Sequence, residues 1–113
     1  MKELILATKS KRRIKILESL NIRFKVLKNE IKELPLGRGL SPKDTVIKNA
    51  VNKATEAAKK IRKGIIVSAD TIIYKDGKVL GKPGSKLKAQ KMLNFLKGKT
   101  HYVYTGLAIY DLY

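Results

Sequence analysis

The fold is decided by the run Ile65-Ile66-Val67-Ser68-Ala69-Asp70-Thr71-Ile72-Ile73-Tyr74. Its β-branched and apolar residues predict a long strand, and the Asp76-Gly77 pair that follows is a strong signal for a tight hairpin. Val79-Leu80 then forms the returning strand. This hairpin supplies an antiparallel pair of strands, so the sheet is mixed if helices connect the remaining strands.

Helices are expected between the other strands. Three segments with helical spacing of apolar residues follow serines that can act as N-caps, namely Ser10, Ser41 and Ser85. The predicted strands cover residues 4–8, 23–27, 65–74, 79–80 and 102–110. Alternation of strands and helices is typical of layered α/β folds. We therefore expect an α/β fold with a mixed sheet flanked by helices, in a single domain spanning residues 1–113.

The long helix after Ser41 carries its apolar residues on one stripe. The stripe consists of Ile47, Ala50, Val51, Ala54, Ala58 and Ile61. Lys53 lies at its flank, where it could face inward, and Gly64 is expected to end the helix. The buried face of the third helix is expected to consist of Ala89, Met92, Leu93 and Leu96, with Gly98 at its end.

The composition is strongly basic. Lys and Arg number 26 against 9 Asp and Glu, which gives a formal net charge of +17. Such a surface attracts polyanions, but lysine scattered through every segment is also typical of a lysine-biased genome or a thermophile. The charge therefore does not choose between a nucleotide, a nucleic acid and an anionic membrane.

The absence of cysteine excludes a disulfide framework, thiolate metal sites and a thiol nucleophile. The start of the sequence has too short an apolar run, and an acid too early, for a signal peptide. No stretch reaches membrane-spanning length. We expect a soluble, cytoplasmic protein with no membrane partner.

The last predicted strand runs to the end of the sequence without a turn signal. A sheet that ends there leaves an edge or an apolar face uncovered. We expect a missing segment or a second copy to cover it, and the second case is a homodimer through the open sheet.

The turn after Ser10 carries three cations in a row, Lys11, Arg12 and Arg13. Cations at the positive end of a helix dipole cost about 0.3–1 kcal/mol each when nothing compensates. A bound phosphate reverses that sign, because backbone N–H groups, the Ser10 hydroxyl and the guanidinium groups converge on its oxygens. The alternative is a solvated basic turn.

Asp70 is an isolated carboxylate in an apolar strand, where burial without a partner costs several kcal/mol. It needs a cation, and a metal ion, Lys53 or Lys82 would supply one. The alternative is an aspartate at the strand edge that faces water. Glu33 could be a second metal ligand, although its local spacing alone indicates only a surface acid.

The segment Gly81-Lys82-Pro83-Gly84 is a glycine-bounded turn suited to directing an ammonium group at a phosphate. It also matches the GxxG of the KH module, but here it follows a strand and contains proline, which disfavours that interpretation. The single histidine, His101, is expected to be structural. The tyrosines of the last strand are expected to pack in the sheet rather than stack on bases.

Taken together, these segments resemble the Maf family of nucleoside triphosphate pyrophosphatases. Residues 6–13, Leu-Ala-Thr-Lys-Ser-Lys-Arg-Arg, are similar to the family's L-A-S-x-S-P-R-R, with Thr8 for serine and Lys11 for proline. The further matches are Glu33, Lys53, Ala69-Asp70-Thr71 for A-D-T, Leu80-Gly81-Lys82-Pro83 for L-G-K-P, residues 98–101 for G-K-x-H, and Thr105-Gly106 for T-G.

The resemblance implies a Maf/ITPase-like fold that lacks the family's C-terminal portion. It implies hydrolysis of a nucleoside triphosphate to the monophosphate and pyrophosphate, with Mg²⁺ or Mn²⁺ held by Asp70 and Glu33. Asp70 would be the proton acceptor and Lys82 a second catalytic residue. The implied substrate-binding residues are Ser10, Arg12, Arg13, Lys53 and Thr71. Arginine at position 12 and threonine at 71 resemble the group that acts on dTTP and UTP, whereas tryptophan and glutamine mark the 7-methyl-GTP group.

Two other hypotheses remain open at this point. The chain could be a catalytically inactive, truncated member that binds nucleotides, or nucleic acid through its basic surface, although nucleic acid is the less expected partner. It could also be a fragment without a stable monomer.

Overall fold

The computed structural model describes residues 2–28, 41–80, 85–98 and 100–113, with the backbone alone for residues 78–80. The strands of this part are β1 (Leu4–Ala7), β2 (Lys25–Leu27), β3 (Ile65–Lys75), β4 (Lys78–Leu80) and β5 (Tyr102–Asp111). Its helices are α1 (Lys11–Ser19), α2 (Pro42–Ala58) and α3 (Lys86–Leu96). Every strand and helix expected from the sequence is present.

The three helices begin at the predicted serines. The hydroxyls of Ser10, Ser41 and Ser85 each accept a hydrogen bond from the backbone N–H three residues on, so each satisfies a donor in the first helical turn. Pro42 occupies the first position of α2, where its fixed φ favours the helix and its missing N–H costs nothing.

The sheet is mixed, as predicted, and β3 is its central strand. β1 runs parallel to both β2 and β3, whereas β4 and β5 run antiparallel to β3. The hairpin between β3 and β4 turns at Asp76 and Gly77, with φ of 51° and 77°. Two successive positive φ values are the requirement of a type I′ turn, whose twist matches that of the strands it joins.

β3 has different partners along one of its edges. Residues 65–67 pair with β1 and residues 73–75 pair with β4, while β5 pairs with residues 65–74. Because a strand has only two edges, β1 and β4 must share the edge opposite β5. Residues 68–72 therefore have no strand partner on that edge within the described part of the chain, and we call this gap the fork.

α2 packs on one face of the sheet, above alternate residues of β3. The buried cluster there consists of Ile5, Ala7, Ala54, Ala57 and Ile66. Ser68 donates from its hydroxyl to the carbonyl of Ala50, which links the helix to the strand. Gly106 of β5 lets α2 come close, since a Cβ there would overlap the Val46 carbonyl and lie 2.7 Å from the Ile47 nitrogen.

The expected apolar stripe of α2 was partly wrong. Ile47 and Val51 are 43% and 47% exposed, whereas Val46, Thr45 and Asn49 are buried. The helix is rotated relative to the expectation, and the two buried polar residues are hydrogen-bonded: Thr45 donates to the Ser41 carbonyl one turn earlier, and Asn49 donates to Asp70 of β3. A pattern that counts only apolar residues cannot detect such positions.

Two further expectations need correction. α2 ends at Ala58 and not at Gly64, which instead opens β3 with φ +155°, and a Cβ there would lie 2.6 Å from the Ile5 Cδ1. In α3, Leu96 is buried but Leu93 is 67% exposed. α3 meets the sheet through Phe95, whose ring lies 4.0 Å from the ammonium of the buried Lys75.

The sheet face opposite α2 is largely uncovered along β5. Val103, Leu107 and Ile109 are exposed there, and β5 pairs only with β3 among the described strands. This is the open sheet that the sequence predicted. No helix in the described residues is both long and apolar enough to cross a membrane.

Candidate active site

The fork lies beside the first turn of α1. β1 stays paired with β3 as far as Leu6 and Val67, and the loop after β1 then turns away to α1. Within this loop the Ser10 N–H donates to the Thr8 hydroxyl over 3.0 Å, and the Arg13 N–H donates to the Ser10 hydroxyl over 3.3 Å. The N-terminus of α1, with its exposed backbone donors, is thereby held at the end of β1.

Asp70 lies in the fork on the side covered by α2. Its side chain is almost fully buried, with 2% of the residue exposed. The Asn49 amide donates to Oδ2 over 2.9 Å, and the Lys53 ammonium lies 3.5 Å from Oδ1. Lys53 also donates to the Ala69 carbonyl over 3.3 Å. The alternative of a water-facing aspartate is therefore wrong, and Lys53 supplies the cation.

The two α2 side chains offset the cost of burying this carboxylate. A buried charge is tolerated only when a partner charge and hydrogen bonds replace its hydration. Lys53 provides the charge from a side chain that is 17% exposed, so its ammonium stands between the buried carboxylate and solvent. The Lys53 ammonium is thereby held next to the fork, where it could contact an anionic ligand.

Thr71 faces the other side of the sheet, because successive side chains of a strand point to opposite faces. Its hydroxyl accepts from Nη2 of Arg13 over 2.9 Å and lies 2.9 Å from the hydroxyl of Thr105, its cross-strand partner. Arg13 is thereby directed from α1 onto the strand. Groups from α1 and α2 reach the fork from its two faces.

The structure describes most of the predicted site residues, but not all. Ser10, Arg13, Lys53, Asp70 and Thr71 surround the fork, and Arg12 is exposed on the first turn of α1. Glu33 and Lys82 lie outside the described residues, as does the turn of residues 81–84. His101 is exposed and stands one residue before β5 rather than within it.

Sequence reasoning gave no site role to Asn49, Thr105 or Gly106. Asn49 precedes Lys53 by four residues, so the two share one face of α2, and that spacing is the signal that could have revealed it. Thr105 lies opposite Thr71, and Gly106 lies opposite Asp70. Their places became visible only once the register of β3 and β5 was known.

Given the side chains that the structure describes at the fork, a divalent cation there would have to be shared with a ligand. No group of three or more His, Cys, Asp or Glu side chains suited to a metal occurs in the described ranges. Mg²⁺ is commonly held by one or two carboxylates together with substrate phosphates rather than by a cage of protein ligands. Asp70 offers one such carboxylate, beside the cationic turn of α1.

The sequence is similar to known proteins over nearly its whole length. The model of the Maf family, described as Maf-like protein, matches residues 3–112. A dTTP/UTP pyrophosphatase of Dictyoglomus thermophilum is 38% identical over 110 residues, which are 97% of this chain and 57% of that protein. A dTTP/UTP pyrophosphatase of Bacillus cytotoxicus is 43% identical over 109 residues, which are 96% of this chain and 56% of that protein.

The fold is also similar to that of a solved structure. The Staphylococcus aureus Ham1 protein superposes with a TM-score of 0.52 at 16% sequence identity, over 97% of this chain and 71% of that one. This chain thus spans little more than half the length of the two pyrophosphatases to which it is similar.

Proposed function

The chain belongs to the Maf family, and from that premise we propose that it acts as a nucleoside triphosphate pyrophosphatase on dTTP and UTP. The observation that carries the proposal is the buried Asp70, held by Lys53 in a gap of the sheet that the cationic turn of α1 adjoins. The names of the two relatives support the same substrates.

Asp70 is the proposed proton acceptor. Water attacks the α-phosphorus, its proton passes to the Asp70 carboxylate, and pyrophosphate leaves. A buried carboxylate that accepts from Asn49 through Oδ2 and lies 3.5 Å from the Lys53 ammonium through Oδ1 is suited to this task, because these contacts restrict its rotation. A divalent cation, Mg²⁺ or Mn²⁺, held by Asp70 and by Glu33, would supply positive charge against the phosphate oxygens.

The cations around the fork neutralise the triphosphate. The turn of α1 offers backbone donors, the Ser10 hydroxyl, Arg12 and Arg13, and positive charge placed there is favourable only beside an anion. Lys53 lies on the other face, and Lys82 is the remaining proposed cation. Charge that builds on the leaving pyrophosphate in the transition state is stabilised by groups already in place.

The preference for dTTP and UTP rests on Arg12 and Thr71. Thr71 is anchored through Arg13 and Thr105, so a hydroxyl is held at a fixed point beside the phosphate-binding turn. We also propose a homodimer, which the exposed edge and face of β5 support. The proposed location is the cytoplasm, where nucleotide substrates occur.

The test is pyrophosphate release from dTTP, UTP and 7-methyl-GTP with Mg²⁺ or Mn²⁺. We expect turnover of dTTP and UTP, little turnover of 7-methyl-GTP, and loss of turnover in Asp70→Asn. Asp76→Asn is the matched control, since Asp76 is exposed in the hairpin turn and asparagine tolerates its positive φ. Preference for 7-methyl-GTP, or full activity of Asp70→Asn, would contradict the proposal.

A non-catalytic nucleotide binder is the second candidate. The observation that favours it is the cationic first turn of α1, where Arg13 already reaches the fork, since such groups bind an anion without any catalytic step. Saturable binding of dTTP by the folded chain without any release of pyrophosphate would support it.

A further inference from the structure

We propose that Asn49 is a positioning residue for Asp70, which holds one carboxylate oxygen so that the other is presented to the fork in a fixed orientation. The inference rests on the proposed function of Asp70, and it adds a residue to which the sequence pattern assigned no role.

Asn49 and Asp70 form a buried hydrogen bond. Asn49 is 3% exposed and Asp70 2%, and the Asn49 amide nitrogen lies 2.9 Å from Oδ2. Gly106 lies opposite Asp70 on β5, and because it has no side chain, the α2 backbone comes close to the sheet at this point. Asn49 is one turn after Val46, whose carbonyl occupies the space a Cβ at position 106 would need.

Stability alone does not favour an asparagine at this position. The other buried residues of α2 are mostly apolar: Thr45, Val46, Ala50, Ala54 and Ala57. Asparagine is a poorer helix former than alanine, and a buried amide is costly unless it is hydrogen-bonded. The contact with Asp70 offsets that cost, so holding the carboxylate is one reason for an asparagine at this position.

Asn49 and Lys53 of α2 contact different oxygens of the Asp70 carboxylate. Lys53 lies 3.5 Å from Oδ1, a looser contact made by a long side chain that also reaches the Ala69 carbonyl. Asn49 is short, neutral and buried, so it fixes Oδ2 without neutralising the negative charge. When the Lys53 ammonium turns toward a phosphate group, the Asn49 contact keeps Asp70 from rotating with it.

The test compares Asn49→Leu with Asn52→Leu, the same change three residues further along α2. Leucine has the same number of side-chain heavy atoms as asparagine and the same branching, and it lacks the donor. We expect Asn49→Leu to weaken Mn²⁺-dependent binding of dTTP, or to lower kcat at nearly unchanged KM, by about 10- to 100-fold, the range for supporting partners of metal-site carboxylates. Asn52→Leu should stay within about twofold.

A double-mutant cycle separates positioning from general stability. In an Asp70→Ala background, which removes both carboxylate oxygens, Asn49→Leu should have no further effect on binding of dTTP and Mn²⁺. An equal loss in both backgrounds would show that Asn49 only supports the helix and would overturn the proposal.

Crystal structures give a readout that does not depend on nucleotide. In Asn49→Leu we expect the Asp70 carboxylate to rotate or to adopt several orientations, and in Asn52→Leu to remain as in the parent protein. An unchanged Asp70 in Asn49→Leu overturns the positioning role. If the parent protein binds no dTTP at all, the proposed function fails, and these structures still decide the role of Asn49.

Discussion

The pair of Asp70 and Lys53 is the residue-scale feature on which the site depends. The sequence indicated that an isolated carboxylate in an apolar strand needs a cation, and the candidates were a metal ion, Lys53 and Lys82. The structure places Lys53 of α2 beside the Asp70 carboxylate, which is buried beneath that helix. What could not be predicted was the second partner, Asn49, because an asparagine between apolar helical positions is expected at the surface.

Removal of the Lys53 charge should destabilise the protein. Lys53→Met keeps much of the apolar stem but leaves Asp70 with one charge partner fewer. Loss of one partner of a buried pair typically costs about 3–5 kcal/mol, and we expect about 2–3 kcal/mol here because Lys53 is partly exposed. Urea unfolding measures the change, and Lys48→Met, on the exposed side of α2, should stay within about 0.5 kcal/mol.

Arg13 should contribute to nucleotide binding more than an arginine elsewhere on the surface. Its guanidinium is already directed at the fork by Thr71, so less side-chain entropy is lost when it meets a phosphate. We expect Arg13→Ala to weaken dTTP binding about tenfold or more, as for a charged hydrogen bond worth about 1.5–3 kcal/mol. Isothermal titration measures this loss.

The control for this experiment is Arg62→Ala. Arg62 is an exposed arginine in the connection between α2 and β3. An equal loss in both variants would mean that the net charge of +17 attracts the nucleotide without a site.

At the scale of elements, the approach of α2 to the sheet sets the height of Asn49 and Lys53 above Asp70. Gly106→Ala places a Cβ against the Val46 backbone, which cannot yield as a flexible side chain would. We expect a loss of about 1–3 kcal/mol of stability, as for overpacking, together with weaker dTTP binding. Thermal unfolding and titration with dTTP measure the two effects.

Gly98→Ala separates the two effects in this prediction. A Cβ there meets open space, but φ is +66°, so alanine costs roughly 1–2 kcal/mol of strain. It should lower stability without changing dTTP binding. If Gly106→Ala bound dTTP as well as the parent protein did, the height of α2 would not matter to the site.

The elements themselves were predictable, and the reasons are local. Serine caps, the proline at the start of α2 and the Asp76-Gly77 turn act through neighbouring backbone groups, so their effect can be inferred from the sequence. The face of α2 could not be inferred in the same way, because it buries two polar residues, and the partner of Asn49 is Asp70 on a different element. The fork has no sequence signal, since it arises from the pairing of β1 and β4 with the same edge of β3.

At the scale of the whole molecule, β5 pairs with β3 alone among the described strands, and its other edge has no partner among them. Edge strands are usually protected by charge, yet residues 102–110 contain no lysine or arginine in a chain that has 26. We expect a dimer that forms with rising concentration in sedimentation velocity. Leu107→Thr with Ile109→Thr should return it to monomer, because both side chains are exposed on the open face.

The matched change on α1 is Ile16→Thr with Leu20→Thr, two residues that are also exposed. It should leave the dimer intact. A monomer at every concentration, or a dimer that both double variants dissolve, would contradict an interface at β5.

The central claim is that the fork hydrolyses dTTP at its α-phosphorus with Asp70 as the proton acceptor. The most direct measurement is ³¹P NMR of dTTP incubated with the folded protein and Mg²⁺, beside Asp70→Asn and Asp76→Asn. The account predicts signals of dTMP and pyrophosphate with the parent protein and Asp76→Asn, and unchanged dTTP with Asp70→Asn. Signals of dTDP and phosphate, or equal turnover by Asp70→Asn, would contradict it.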